Sequence, residues 1–281
     1  MYKNISNAVR IIMTRKSEGF AVSQIGIHNL GKWIDPVINI DLFEMSQPTF
    51  PPHPHAGFSA VTYMLESSKG SFQNRDSRGD SSIISPGDIH WTLAGSGIVH
   101  EEVPTVSGIS CSGLQIFVNL PSIDKEIEPK GLHLKTEEMP TITNQYYRAK
   151  IVSGEWQGKK SPLPSYPNIL ILDITLKTGE ITIELPEENS SFLLSLSGKG
   201  IILQNEGEVS LEENFAICFQ QEKGKITIKN DLAEDLKLIL FSGVPIKEPL
   251  FPIGPFIMNT EADGHRKYSE YKQGKMGSIP T

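Results

Sequence analysis

Tyr63-Met64-Leu65 leads to a turn at Gly70 and on to Ile84-Ser85-Pro86-Gly87-Asp88-Ile89-His90-Trp91. Leu194-Ser195-Leu196 leads to Gly198 and Gly200 and on to Ser210-Leu211-Glu212-Glu213-Asn214-Phe215-Ala216-Ile217-Cys218. Both stretches read as strand, glycine turn, strand, acidic turn, strand. They lie about 130 residues apart, the offset a duplicated domain would give. Outward from them, short β-branched and aromatic runs recur at 60–65, 113–120, 169–176, 180–185, 192–196, 225–229 and 236–241, divided by Gly, Pro, Asn or Asp. Helical periodicity is scarce, and only 261–272, a polar stretch, reads as a helix. The pattern predicts an all-β chain of sandwiches or barrels. Pro129, Gly131, the acidic pair Glu137-Glu138 and Pro140 disfavour a regular element across 128–140, so a boundary is expected near residue 135.

The composition narrows the function classes. At 281 residues, with 38% hydrophobic and 21% charged residues, the chain can bury two cores and shows no sign of wholesale disorder. Its longest apolar runs are too short and interrupted to span a bilayer, and residues 1–15 carry charges and no small-residue cleavage site, so neither a membrane protein nor a signal peptide is expected. The two cysteines, Cys111 and Cys218, each sit in an apolar run and read as buried free thiols of a reducing compartment. A cytoplasmic protein is expected. Net charge is −7 and no run of Lys or Arg exceeds a pair such as Lys159-Lys160, which argues against direct nucleic-acid binding.

Five of the seven histidines fall between positions 53 and 133. His53-Pro54-His55 sets two imidazoles at alternate positions, and His100-Glu101-Glu102 sets an imidazole and a carboxylate the same way. Alternate side chains of a strand share a face, so each pair points to one side. Two such pairs on neighbouring strands can converge on one ion. Three neutral imidazoles and a carboxylate suit Fe(II), with Mn, Ni, Cu or Zn as rivals, because no thiolate is present to favour Zn or Cu(I). Four donors on an octahedral ion leave two positions open for O₂ and substrate. Glu101, of opposite parity, reads as a surface carboxylate, and His28, His133 and His265 read as solvated or hydrogen-bonded side chains.

Longer blocks around these residues resemble the pirin family of bicupins. Pro52-His53-Pro54-His55-Ala56-Gly57-Phe58 is similar to its HPH-x-GF block. The run from Pro86-Gly87-Asp88 through Trp91, Ala94-Gly95-Ser96-Gly97-Ile98 and His100-Glu101-Glu102-Val103-Pro104 is similar to its PGD-x-x-W…AG-x-GI-x-H-x-E-x-P block. Gly113-Leu114-Gln115-Ile116-Phe117-Val118-Asn119-Leu120 resembles another family strand, and Gly243-Val244-Pro245 with Gly254-Pro255-Phe256-Ile257-Met258-Asn259-Thr260 resembles its closing signature. The resemblance implies two cupin-type antiparallel β-barrels with a short C-terminal helical or extended tail. Residues 1–135 would form a metal-binding barrel and 136–281 a metal-free one, since no histidine occurs from Leu134 to Gly264.

The resemblance further implies one divalent ion, Fe(II) first, held by His53, His55, His100 and Glu102, with Ser59, His90 and Gln115 behind these ligands. Pirins commonly carry Arg at the position of Ala56 and Glu at that of Ser59, so the charge around the ligands is altered here. Some pirin-like proteins are quercetin 2,3-dioxygenases, which implies a small aromatic substrate, O₂, and Glu102 as the catalytic base. Phe43, Phe50, Phe58 and Trp91 are near enough in sequence to wall such a site, or to serve as ordinary packing. The alternative is a non-catalytic, iron- and redox-sensing regulator of a protein partner, nuclear if the chain is eukaryotic. A monomer is expected in either case.

Overall fold

The β-branched runs do form strands, and the polar stretch near the C-terminus forms the helix Glu261–Lys272. The computed structural model describes residues 1–279, so the last two residues of the 136–281 assignment lie outside it. The chain divides into two compact units, and neither is a continuous segment. One comprises Met13–Gln24, Val37–Thr136 and the described residues from Ile246 onward, and it contains all the site histidines. The other comprises Met1–Ile12, Ile25–Pro36 and Glu137–Pro245.

The histidine-bearing unit has a seven-stranded and a four-stranded sheet. The larger runs in the order Lys130–Leu134, Ile89–Leu93, Phe58–Met64, Cys111–Asn119, Val37–Met45, Phe20–Gly26, Met13–Ser17. The smaller runs His53–His55, Ile98–Pro104, Phe72–Asp76, Ser81–Ile84. Every pairing between these strands is antiparallel. Side chains from both sheets meet in a core that includes Phe20, Phe43, Met64, Phe72 and Ile84.

The second unit repeats this plan strand for strand. Its larger sheet runs Ile5–Arg10, Phe215–Phe219, Ser190–Ser197, Leu236–Gly243, Ile169–Leu176, Tyr147–Ser153, Thr141–Thr143, and its smaller one Gly179–Glu184, Lys225–Asn230, Gly200–Gln204, Gly207–Leu211. Its hydrophobic core lies between the sheets, with Ile181, Ile183, Leu193, Ile226, Ile228 and Leu240 at most 1% exposed, and buried Ser191, Ser195 and Ser242 share the core-facing parity of Leu193 and Leu240. The acidic turns noted in the sequence do equivalent work. Gly87 (φ +88°) and Asn214 (φ +61°) supply the left-handed residue each tight turn requires.

Ile5–Arg10 takes the sheet position in the second unit that Lys130–Leu134 takes in the first. An unpaired strand edge exposes a row of backbone donors and acceptors. Here the N-terminal strand covers the edge of Phe215–Phe219. The C-terminal tail groups with the histidine-bearing unit. Its hairpin, Phe251–Ile253 with Phe256–Met258, is bridged to the site through Ile257 N, which donates to Ala56 O at 3.0 Å.

Gly57 is obligatory at this contact. Its φ is +82°, and any Cβ there would collide with the Ile257 carbonyl. Buried Lys125 closes the joint, donating to Gly57 O (2.7 Å), Asn119 Oδ1 (2.7 Å) and Ile257 O (3.0 Å). No helix among the described residues is long and apolar enough to cross a membrane.

Candidate metal centre

The two histidine motifs lie on directly paired strands. His53–His55 runs antiparallel to Ile98–Pro104, with His100 opposite His53 and Ile98 opposite His55. Alternation then turns His53, His55 and His100 to one face. Their ring centroids are 4.8 Å (53 to 55), 4.8 Å (53 to 100) and 4.9 Å (55 to 100) apart. One ring nitrogen from each lies within 4.8 Å of the others, so the three could hold one metal ion.

Burial sets the charge of this cluster. It lowers the pKa of His53, and that of His55 to about 3. It pulls His100 well down too, aided by the neighbouring imidazoles of His55 and His53. Neutral imidazoles keep a lone pair for an ion. His53 Nδ1 lies 3.0 Å from Pro51 O, and a carbonyl only accepts, so Nδ1 carries the proton and Nε2 is the free donor. This donor set fits a borderline divalent ion.

Glu102 stands two residues beyond His100 on the same face and lines the same cavity. Its carboxylate is turned onto Thr62, whose hydroxyl lies 2.8 Å and 2.6 Å from the two oxygens and 2.8 Å from Gln115 Oε1. Burial raises the Glu102 pKa to about 7, against the pull of the Thr62 hydroxyl. Thr62 has one proton and cannot donate to both neighbours. A proton on Glu102, or a Gln115 amide presenting its nitrogen, satisfies the set.

The cavity has a volume of about 260 Å³. The histidines and Glu102 occupy one part of its wall, Phe20, Val22, Phe43, Met45, Phe72 and Phe117 form most of the rest, and Phe50 stands at 41% exposure on the rim. A polar row crosses the larger sheet at the level of Glu102. Asp41, Gln115, Thr62, His90 and His133 are successive register partners on five adjacent strands.

The expected neighbours of the ligands fare differently. Gln115 lines the cavity. His90 lies behind it, fully buried, with neither ring nitrogen hydrogen-bonded and Nε2 3.9 Å from Asp80 Oδ2. Burial lowers its pKa to about 4, which keeps the ring neutral. Ser59 is a correction. It has the opposite parity to Thr62 and is not among the cavity-lining residues. Trp91 shares that outer parity, and Phe58 packs edge-on to His55 at 5.1 Å without lining the cavity.

Glu101 does turn away from the histidines. It is not a solvated carboxylate, however, being 7% exposed and paired with Arg75. His133 sits 3.7 Å from Asp88 and His265 3.6 Å from Glu261, outside the cluster. Both cysteines are free and buried, with burial pushing their thiols up to about 11 and about 12.

Sequence reasoning missed Asp41, Thr62 and the walls contributed by Phe20, Val22, Met45, Phe72 and Phe117. Only the register of distant strands brings these together.

Two cupin domains, one carrying a histidine cluster that opens on an aromatic-lined cavity, define a bicupin with a candidate metal centre. The family model for pirin matches residues 30–118, and that for the pirin C-terminal cupin domain matches 171–277. The chain belongs to the pirin family. It is 36% identical over 246 residues to a pirin-like protein of Solanum lycopersicum, covering 87% of this chain and 82% of that one. It is 33% identical over 248 residues to pirin of Homo sapiens, covering 88% and 84%. Among solved structures, a quercetin 2,3-dioxygenase from Acinetobacter baumannii is similar with a TM-score of 0.86 and 25% identity over 100% of both chains.

Proposed function

We propose that this chain is a metal-dependent dioxygenase that opens a flavonol-type substrate. The observation that carries the reading is the cavity itself. Three neutral imidazoles and a buried carboxylate share it with a wall of phenylalanines, which suits a flat aromatic ligand with one ionisable hydroxyl. The likeness to the Acinetobacter baumannii dioxygenase, whose fold covers the whole chain, supports it.

In this reading His53, His55, His100 and Glu102 hold one divalent ion, Fe(II) first, with Mn, Ni, Cu or Zn as rivals. When bound, the ion supplies a Lewis acid and a site for O₂. Glu102 is the residue we assign to take the proton of the 3-hydroxyl. Thr62 steers that carboxylate, and Pro51 O steers the His53 ring. The phenylalanine walls exclude water from the reacting ring. The reaction balances: one flavonol and one O₂ give one ring-opened ester and one carbon monoxide.

Stoichiometric O₂ uptake and carbon monoxide release with quercetin, by protein loaded with Fe(II) and separately with Mn(II), Ni(II) and Cu(II), tests the proposal. Bound metal without turnover in any of these would sink it and leave the metal- and redox-sensing partner protein as the better account.

A further inference from the structure

The cavity wall carries a second carboxylate, Asp41, on the strand Val37–Met45. Its Oδ1 accepts from Gln24 Nε2 at 2.9 Å and Asn39 Nδ2 at 2.5 Å. Those two amides fix its orientation. No other donor from the protein reaches it among the described residues, and no cation faces it, so Oδ2 remains an acceptor with capacity to spare. Its apolar company on the same wall includes Phe20, Phe43 and Phe117. The carboxylate is partly buried, enough for burial to raise its pKa, and neutral amides rather than a cation hold it. Packing needs no charge at this position.

Position gives the residue a task. Asp41 pairs with Gln115, and Gln115 with Thr62, whose hydroxyl holds Glu102. Neighbouring strands run about 4.8 Å apart, so the Asp41 backbone stands roughly 10 Å from that of Thr62. A ligand with one hydroxyl at the histidine end therefore places its far ring against Asp41. Gln115 lies between the two polar ends and phenylalanines line the wall around it, which suits a flat aromatic ring. Phe50 on the rim, edge-on to Phe20 at 5.3 Å and 6.4 Å from the His53 ring, borders the same space.

We propose that Asp41 accepts a hydrogen bond from a phenolic hydroxyl on the ring farthest from the histidines, and thereby selects polyhydroxylated flavonols over bare ones. The proposal rests on the flavonol reading. It names which end of the substrate the chain recognises beyond the reacting hydroxyl.

The test compares quercetin with 3-hydroxyflavone, which keeps only the hydroxyl at the reacting end. Equilibrium binding by ligand fluorescence and O₂ uptake are measured on metal-loaded wild type, Asp41→Asn and Asp41→Leu, with metal content determined for each. Wild type is expected to bind quercetin about tenfold or more tightly than 3-hydroxyflavone, the weight of a hydrogen bond to a charged acceptor. Both variants are expected to shrink that ratio to about twofold or less, with the loss in KM for quercetin rather than in kcat. An unchanged ratio in the variants, or an equal loss on both ligands, overturns the proposal. Binding with the expected ratios but no turnover overturns the dioxygenase reading and leaves Asp41 as a recognition residue. Failure of wild type to bind either flavonol overturns both.

Discussion

The two units share one strand order and use their interiors in opposite ways. In the second, the smaller sheet contributes Ile181, Ile183, Ile226 and Ile228 to a core without histidine or carboxylate ligands. In the first, the strands at the corresponding positions contribute His53, His55, His100 and Glu102 to an open cavity. The comparison teaches that the cupin plan does not require its interior to be polar. The polar set is an addition, and it costs stability, because each buried imidazole and carboxylate gives up water. The first unit holds that set in place with supports of its own: Thr62 on Glu102, Pro51 O on His53, and a tail pinned through Lys125, Gly57 and Ile257.

The contrast can be broken most directly at the histidines. The double variant His55→Ala, His100→Ala is expected to lose divalent-metal affinity by more than about 100-fold, since removal of groups merely supporting metal ligands costs 10–100-fold. Its unfolding free energy without metal should fall little or rise. Titration with metal ions and denaturant melts check both halves. A variant that keeps wild-type affinity would end the metal assignment.

Ile228→Ala in the second unit is the mirror experiment. Ile228 is fully buried. The substitution should cost about 3 kcal/mol in unfolding free energy, the usual range for deleting a buried isoleucine side chain to alanine, and leave metal content as it was. Coupled loss of metal would show that the second core supports the site.

Lys125 sharpens the account of the supports. Burial lowers its pKa to about 8 from an ordinary 10.5. Between those values the unfolded chain binds the extra proton, so stability should rise with pH from about 8 to 10.5 by a contribution on the order of 1–3 kcal/mol. Below pH 8 the cost of burial is present in full. Urea melts across that window should show the rise in wild type and lose it in Lys125→Met.

The smallest effect belongs to the surface. Arg266 on the C-terminal helix pairs with Glu126 at 2.7 Å, yet both side chains are nearly half exposed. Arg266→Ala should cost no more than about 1 kcal/mol, and less at high salt. A larger loss would mean that this helix braces the site more strongly than exposed ion pairs allow.

Much of the site was legible because strand geometry has a period of two. His53 and His55, and likewise His100 and Glu102, are two apart, and two-residue spacing means one face whatever the tertiary context. The same parity places Ser59 with Val61 and Tyr63, on the face opposite Thr62. Reading it as a neighbour of the ligands took closeness in sequence for closeness in space. Asp41 carried no local signal at all. It is an acidic residue in an apolar strand, and only the pairing Asp41–Gln115–Thr62 reveals that it shares a wall with Glu102. Phe20 and Phe72 enter the cavity from two further strands, and Phe117 from the strand of Gln115, for the same reason.

By itself the sequence determined the all-β class, the duplication and the face on which each motif residue lies, because these follow from local chemistry: β-branched runs, left-handed turn residues and alternation. Tertiary structure alone decided that Ile5–Arg10 completes the second unit's sheet and that the tail beyond Ile246 returns to the histidine-bearing one. It also decided which strands wall the cavity. Those outcomes depend on edge pairing and strand register between segments a hundred or more residues apart, where no local preference along the chain reaches.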